Sequence, residues 1–152
     1  MRRAVAVAAL ALGIAGGAAG CDKQPTPGGT TTTVAAALPF EGSPSRKALA
    51  EEAGVEIPAS VTDYRSVRLD EDELDVAFTL PADEVDALVD GLGLPALAEG
   101  RAIVHASPVW SLDPGGTVRS ATGSTARVRL GIEVVTPPGG GETVSVRLVV
   151  AA

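Results

Sequence analysis

Arg127-Val-Arg-Leu-Gly-Ile-Glu-Val-Val135 and Thr143-Val-Ser-Val-Arg-Leu-Val-Val-Ala151, joined by Thr136-Pro-Pro-Gly-Gly-Gly141, form the stretch that decides the fold. In a strand, successive side chains point to opposite faces, so residues two apart share a face. That alternation puts Val128, Leu130, Ile132 and Val134 on one face of the first segment. It puts Val144, Val146, Leu148 and Val150 on one face of the second. The Pro/Gly run between them cannot continue either strand and reads as a hairpin loop. Opposite the apolar stripe lie Arg127, Arg129 and Arg147. Such a face could receive an anionic ligand or an acidic partner. The plainer alternative is a solvated face that pairs with acids of the same chain.

Upstream, the pattern alternates between helix and strand. Ser43-Pro44 reads as a cap followed by Pro at the first helical position, opening a helix over 45–53 that Gly54 ends. Val61 to Leu69 has strand composition with imperfect alternation, which suits an edge. Leu74, Val76, Phe78 and Leu80 alternate cleanly, and Asp70-Glu-Asp-Glu73 joins the two runs as a second hairpin. Pro81 to Gly91 is the best helix in the chain, with Val85, Leu88, Val89 and Leu92 in one apolar stripe. Arg101 to Ala106 and Val109 to Leu112 are short strand candidates, followed by a turn at Asp113-Pro-Gly-Gly116. The expected fold is α+β: an antiparallel sheet of four to six strands with two helices packed on one face, a single domain over 44–152.

No residue set in that domain announces a reaction. The acidic turn with Asp75 offers oxygen ligands for Ca²⁺, but it lacks the glycine and distal Glu of an EF-hand loop. It reads instead as a solvated turn that discourages edge pairing. His105 is the chain's one histidine, which rules out a His-based metal site and reads as a strand residue with a satisfied ring. No G-x-S-x-G elbow is present, and the glycine runs lack the Lys-Ser/Thr of a phosphate loop. A hydrolase using Asp83, Glu84 or Asp86 is the alternative function. Those acids stand at a helix start, where the macrodipole explains them without chemistry. No metal or cofactor is expected.

The chain opens differently. Arg2 and Arg3 lead into the apolar run Ala4 to Gly20, which ends in Ala18-Ala19-Gly20-Cys21. A charged start, an apolar core and small residues before a cut make a secretory signal peptide. At seventeen residues rich in Ala and Gly, the run is short of the roughly 20 residues that span a bilayer. Cys21 is the chain's one cysteine, so no disulfide can form within it. A plain secreted protein with a free thiol at this offset is a poor alternative. The arrangement resembles the lipobox of bacterial lipoproteins. The resemblance implies a diacylglyceryl group on the Cys21 sulfur, cleavage between Gly20 and Cys21, and acylation of the new amine. Ala18 stands where that family often has Leu. Two acyl chains anchor stably, at about 0.8 kcal/mol per buried CH₂.

Residues 1–20 are thus read as a signal peptide, and 21–43 as the lipidated Cys and a flexible tether. Gln24 to Thr33 is polar and Pro/Gly-rich, and about twenty such residues reach roughly 25 Å as a coil. The Thr run reads as naked linker in preference to a sugar carrier. The chain carries −7, which becomes −9 once Arg2 and Arg3 leave with the signal. An acidic protein is not steered to nucleic acid. Fifteen acids and four bases fall in 41–99, against three acids and five bases in 100–152.

Ile57-Pro-Ala-Ser-Val-Thr-Asp-Tyr64, the Phe78-Thr-Leu-Pro81 run into a Val-rich helix, and a late Trp110 before an Arg-containing terminal hairpin resemble small uncharacterised lipoproteins of actinobacteria. The resemblance implies no activity. The expectation is a non-catalytic binding or accessory domain, held by Cys21 on the extracytoplasmic side of the cell membrane, with an envelope protein as candidate partner. Asp22, by resemblance to the sorting rule of two-membrane bacteria, implies retention at the inner membrane.

Overall fold

The computed structural model describes residues 42–112 and 115–152. The signal peptide, Cys21 and all but the last two residues of the tether lie outside the described residues. Six strands follow in chain order: β1 (Thr62–Arg68), β2 (Glu73–Pro81), β3 (Ala98–Glu99), β4 (Thr117–Ser124), β5 (Arg129–Thr136) and β6 (Thr143–Ala151). They form one antiparallel sheet in the order β1-β2-β6-β5-β4-β3. Helix α1 (Arg46–Ala48) runs on into a π-helical turn, Leu49–Ala53. A 3₁₀ turn (Ala82–Glu84) leads into α2 (Val85–Gly91). The fold is α+β, as the alternation of the sequence requires.

The terminal hairpin sits at the centre of the sheet. Leu130, Ile132 and Val134 of β5 stand beside Val150, Leu148 and Val146 of β6, all buried. Leu74, Val76, Phe78 and Leu80 of β2 pair with Val150, Leu148, Val146 and Val144 on the other side of β6. These residues form one apolar layer with Leu49 and Ala53 of the first helix and Val85, Leu88 and Val89 of α2. Both helices therefore cover the same face of the sheet. Burying each such side chain contributes roughly 1.5–3 kcal/mol, and no aromatic cluster is needed.

Local chemistry explains the boundaries. Gly54 ends the first helix at φ 69°, a left-handed cap that glycine adopts without a Cβ clash. The N-cap is Ser45, whose hydroxyl accepts from the Ala48 amide at 3.3 Å, and not the expected Ser43. Pro44 precedes that cap, and its carbonyl accepts from Tyr64 and Ser66 at 3.0 and 2.9 Å, which ties the helix start to β1. β1 is an edge strand, as its uneven alternation implied. Its register shifts between Thr62 and Arg65, and Asp63 takes a positive φ of 52° there.

Two expectations are corrected. Residues 101–106 and 109–112 are not strands but an irregular strap across the second face of the sheet. The strand in this region is β4, whose Thr-Val-Arg-Ser-Ala-Thr-Gly-Ser sequence is too polar and small to announce itself.

Candidate binding site on the second face of the sheet

The face away from the helices is set by strand alternation. Ser120 of β4, Glu133 of β5, Arg147 of β6 and Ala77 of β2 stand side by side in one row across it. The neighbouring row is Thr122, Gly131, Val149 and Asp75, and the next is Ser124, Arg129, Ala151 and Glu73. An antiparallel sheet with helices on one side usually wets its other face. Here the middle of that face is dry and charged: Asp75, Glu133 and Arg147 each have 0% exposure.

Buried charges persist only when paired and hydrogen-bonded. Arg147 donates through Nε to both Asp75 carboxylate oxygens at 3.0 and 3.1 Å, and through Nη2 to Oδ2 at 2.7 Å. Its Nη1 donates to the His105 carbonyl at 3.0 Å. Glu133 Oε1 accepts from Arg101 Nε and from the Ile103 amide, both at 3.2 Å. Ser120 Oγ donates to the Gly100 carbonyl at 2.8 Å. These bonds lash residues 100–105 across the sheet. Ile103 is the one buried apolar residue of the strap, and it seats over Gly131, where an added Cβ would stand 3.3 Å from Ile103 Cγ1. Glu133 Oε2 and Trp110 Nε1 are buried without a partner, so this layer holds polar capacity the protein does not use.

Beside the strap the sheet opens into a groove of about 590 Å³, a volume ordinary for small-molecule sites. Gly131, Val149 and Ala151 line its floor, and Ile103 and Val104 its wall. Val104 is the large apolar side chain most open to solvent among the described residues, at 85% exposure. Arg129, Ser124, Glu73 and His105 are also among the residues that line it. His105 Nε2 lies 2.8 Å from Glu73 Oε1. His105 thus has one ring nitrogen paired, and it stands on the strap and not in the expected strand.

The three arginines do not make one exposed face. Arg147 is wholly buried with Asp75. Arg129 is exposed in the groove and donates through Nε and Nη2 to a main-chain oxygen of Ala152, the last residue of the sequence, at 3.3 and 3.1 Å. Arg127 precedes β5 and reaches the Glu51 and Glu52 carbonyls at the end of the first helix, at 3.3 and 3.2 Å. The acidic turn is also divided. Asp75 points to the buried row, while Asp70 and Asp72 interact with each other. Their hydrogen bond lowers the pKa of Asp70 and raises that of Asp72 from the ordinary 3.8. Among the described residues, no group of three or more His, Cys, Asp or Glu is placed to hold a metal ion. Asp83 and Asp86 are exposed, and Glu84 accepts from the Ser60 hydroxyl. Sequence reasoning missed Glu133 and Arg101. A lone Glu in an apolar strand run was the available clue, since such a residue, once buried, requires a partner.

The site thus belongs to an antiparallel α+β domain with one helix-covered face and one face strapped by a loop. No protein-family model, no curated protein and no solved structure matches the chain.

Proposed function

We propose that this chain is a lipid-anchored, extracytoplasmic lipoprotein whose domain binds a ligand or partner at the cell envelope and does not catalyse a reaction. The observation that carries the reading is Cys21. It is the chain's one cysteine, and it directly follows Ala18-Ala19-Gly20 at the end of an apolar run led by Arg2 and Arg3. Thiolate sulfur is the nucleophile such lipid transfer needs. As the chain's one cysteine, it has no disulfide partner within the chain. The groove beside the strap supports binding, because it joins an apolar floor to one cationic rim residue, Arg129.

Expression in a bacterial host with and without Cys21→Ser tests the anchor. The parent is expected in the membrane fraction with the mass of a diacylglyceryl group added. The variant is expected to leave that fraction once its signal is removed. A processed variant that still sediments with membranes would refute the lipoprotein reading. Crosslinking of the anchored parent in cells tests for an envelope partner.

A further inference from the structure

We infer that the outer edge of β4, beyond β3, docks an extended segment of a partner protein that adds to the sheet as a strand. The segment is apolar at alternate residues and basic at its ends. This rests on the binding-domain reading above and names the partner's chemistry. In an antiparallel ladder, alternate residues turn their main-chain N–H and C=O to opposite edges. The Thr125 amide, just past β4, donates to the Val128 carbonyl at 2.8 Å, so the odd-numbered residues of β4 face β5. The Gly100 amide donates to the Val118 carbonyl at 3.0 Å, so the even-numbered residues face outward. β3 meets that edge as far as Ser120, opposite Ala98, and its cover goes no further. Thr122 and Ser124 turn the next N–H and C=O groups outward, and both residues are exposed. Outside the β5 ladder, no main-chain bond joins either of them to another described residue.

The chain's own continuation is diverted from this edge. Leu94 is buried on the helix-covered face over Gly123, where an added Cβ would stand 2.7 Å from Leu94 Cδ2. Ala96 and Leu97 border a pocket on that same face, with Asp86 and Val89 of α2. Nor is the edge guarded. Sheet edges are commonly blunted by charges, Pro or a bulge. The other edge strand, β1, has such guards: Arg65, Arg68, and a register shift where Asp63 takes its positive φ. Residues 121–124 are Ala-Thr-Gly-Ser, with no charge, no Pro and no break in register.

The groove supplies the side-chain preference. A residue paired with Thr122 places its side chain on Thr122's face of the sheet. That face carries the groove, whose lining includes Thr122, Ser124, Ile103 and the exposed Val104. Main-chain bonds at Thr122 and Ser124 would hold the segment, and apolar side chains at alternate positions would lean toward the groove. The chain carries −7, which favours basic ends on the segment and opposes a second copy of the chain itself.

The test adds the peptide acetyl-Lys-Thr-Val-Thr-Val-Thr-Lys-amide, or its fully N-methylated analogue, to the full chain held in lipid nanodiscs. Amide hydrogen exchange is read residue by residue, with the peptide-free protein as baseline. Saturating peptide is expected to slow exchange at Thr122 and Ser124 at least about tenfold. The analogue, which has no main-chain N–H to donate, is expected to leave both amides unchanged. Thr122→Pro removes one outward donor and keeps the β5 ladder, because that N–H faces away from β5. It is expected to weaken the peptide at least about fivefold. The proposal is overturned by an analogue that binds as tightly as the peptide, by full affinity in Thr122→Pro, or by protection at β1 in place of β4. Protection of Thr122 and Ser124 that needs no peptide and grows with protein concentration would make the occupant a second copy, and also overturns it. Should Thr122→Pro not fold, the comparison of peptide with analogue decides. An envelope partner crosslinked in cells as well by Thr122→Pro as by the parent would sink the edge site and keep the binding-domain reading. No crosslinked partner and no peptide protection would sink both.

Discussion

Replacing Arg147 with Met keeps most of the side chain's length and removes its charge and donors. The consequences follow from the bonds it makes. Asp75 loses all three contacts from the guanidinium, at 2.7, 3.0 and 3.1 Å, and remains wholly buried between Val67 and Val149 in the ladder. A buried ion stripped of its partner costs about 3–5 kcal/mol. The His105 carbonyl also loses its donor, adding about 1 kcal/mol where water cannot replace it. Stability of a domain this size is about 5–15 kcal/mol, so Arg147→Met should take away a large share of it. The melting temperature should fall by something on the order of 15 °C.

The companion variant Asp75→Leu/Arg147→Met removes both charges. Apolar replacement of a buried ion pair is often neutral or stabilising. The double variant should therefore recover to within about 1–2 kcal/mol of the parent, the remainder being the orphaned His105 carbonyl. Urea unfolding followed by circular dichroism measures all four corners of the cycle, with equal slopes required for comparison. A loss below about 1 kcal/mol in Arg147→Met would mean that Asp75 is not held by this bond. A double variant no more stable than Arg147→Met would mean that the pair is not the unit of stabilisation.

Two further outcomes come from the helix-bearing face. Burial raises the pKa of Tyr64 above its ordinary 10.0, outweighing the opposing contribution of Ser66. The folded state thus holds that proton more tightly than the unfolded chain, so stability is intact below pH 10 and falls as pH rises through the folded value. Absorbance at 295 nm during alkaline titration should place Tyr64 above free tyrosine, and Tyr64→Phe should cost about 0.5–1.5 kcal/mol by removing one of the two hydrogen bonds to the Pro44 carbonyl, the Ser66 bond remaining. Gly54→Ala should cost about 1 kcal/mol although open space surrounds the position, because the penalty is the left-handed φ of 69° and not a clash. A neutral Gly54→Ala would show that the cap relaxes to another conformation.

What the sequence made legible was the apolar half of this fold. β2, β5 and β6 declare themselves because one face of each is a Val/Leu/Ile stripe, and α2 because its stripe repeats at helical spacing. β4 does not, since its inward face is built from Ala121 and Gly123, and Gly123 is bare where Leu94 crosses. Small residues bury well but leave little periodic signal. The strap misled in the opposite sense. Ala-Ile-Val in 102–104 has strand composition, yet only Ile103 is buried, and the segment is held by polar bonds to side chains. Propensity registers the β-branched residues and cannot register the carboxylates waiting across the sheet.

That blindness bears on the candidate site. Alternation correctly set Arg129 and Arg147 opposite the apolar stripe, and by that logic they should have been equivalent. They differ because of what faces them. Arg147 lies in the row beside Asp75 and Glu133 and under the His105 carbonyl, so the strap seals it from water. Arg129 lies two rows away, four residues nearer the start of β5 than Arg147's partner Glu133, and it is exposed beside Gly131. A one-dimensional pattern assigns a face and stops there. Whether a charge on that face is buried or exposed is settled by the chain that crosses over it, which covers Arg147 and leaves Arg129 exposed.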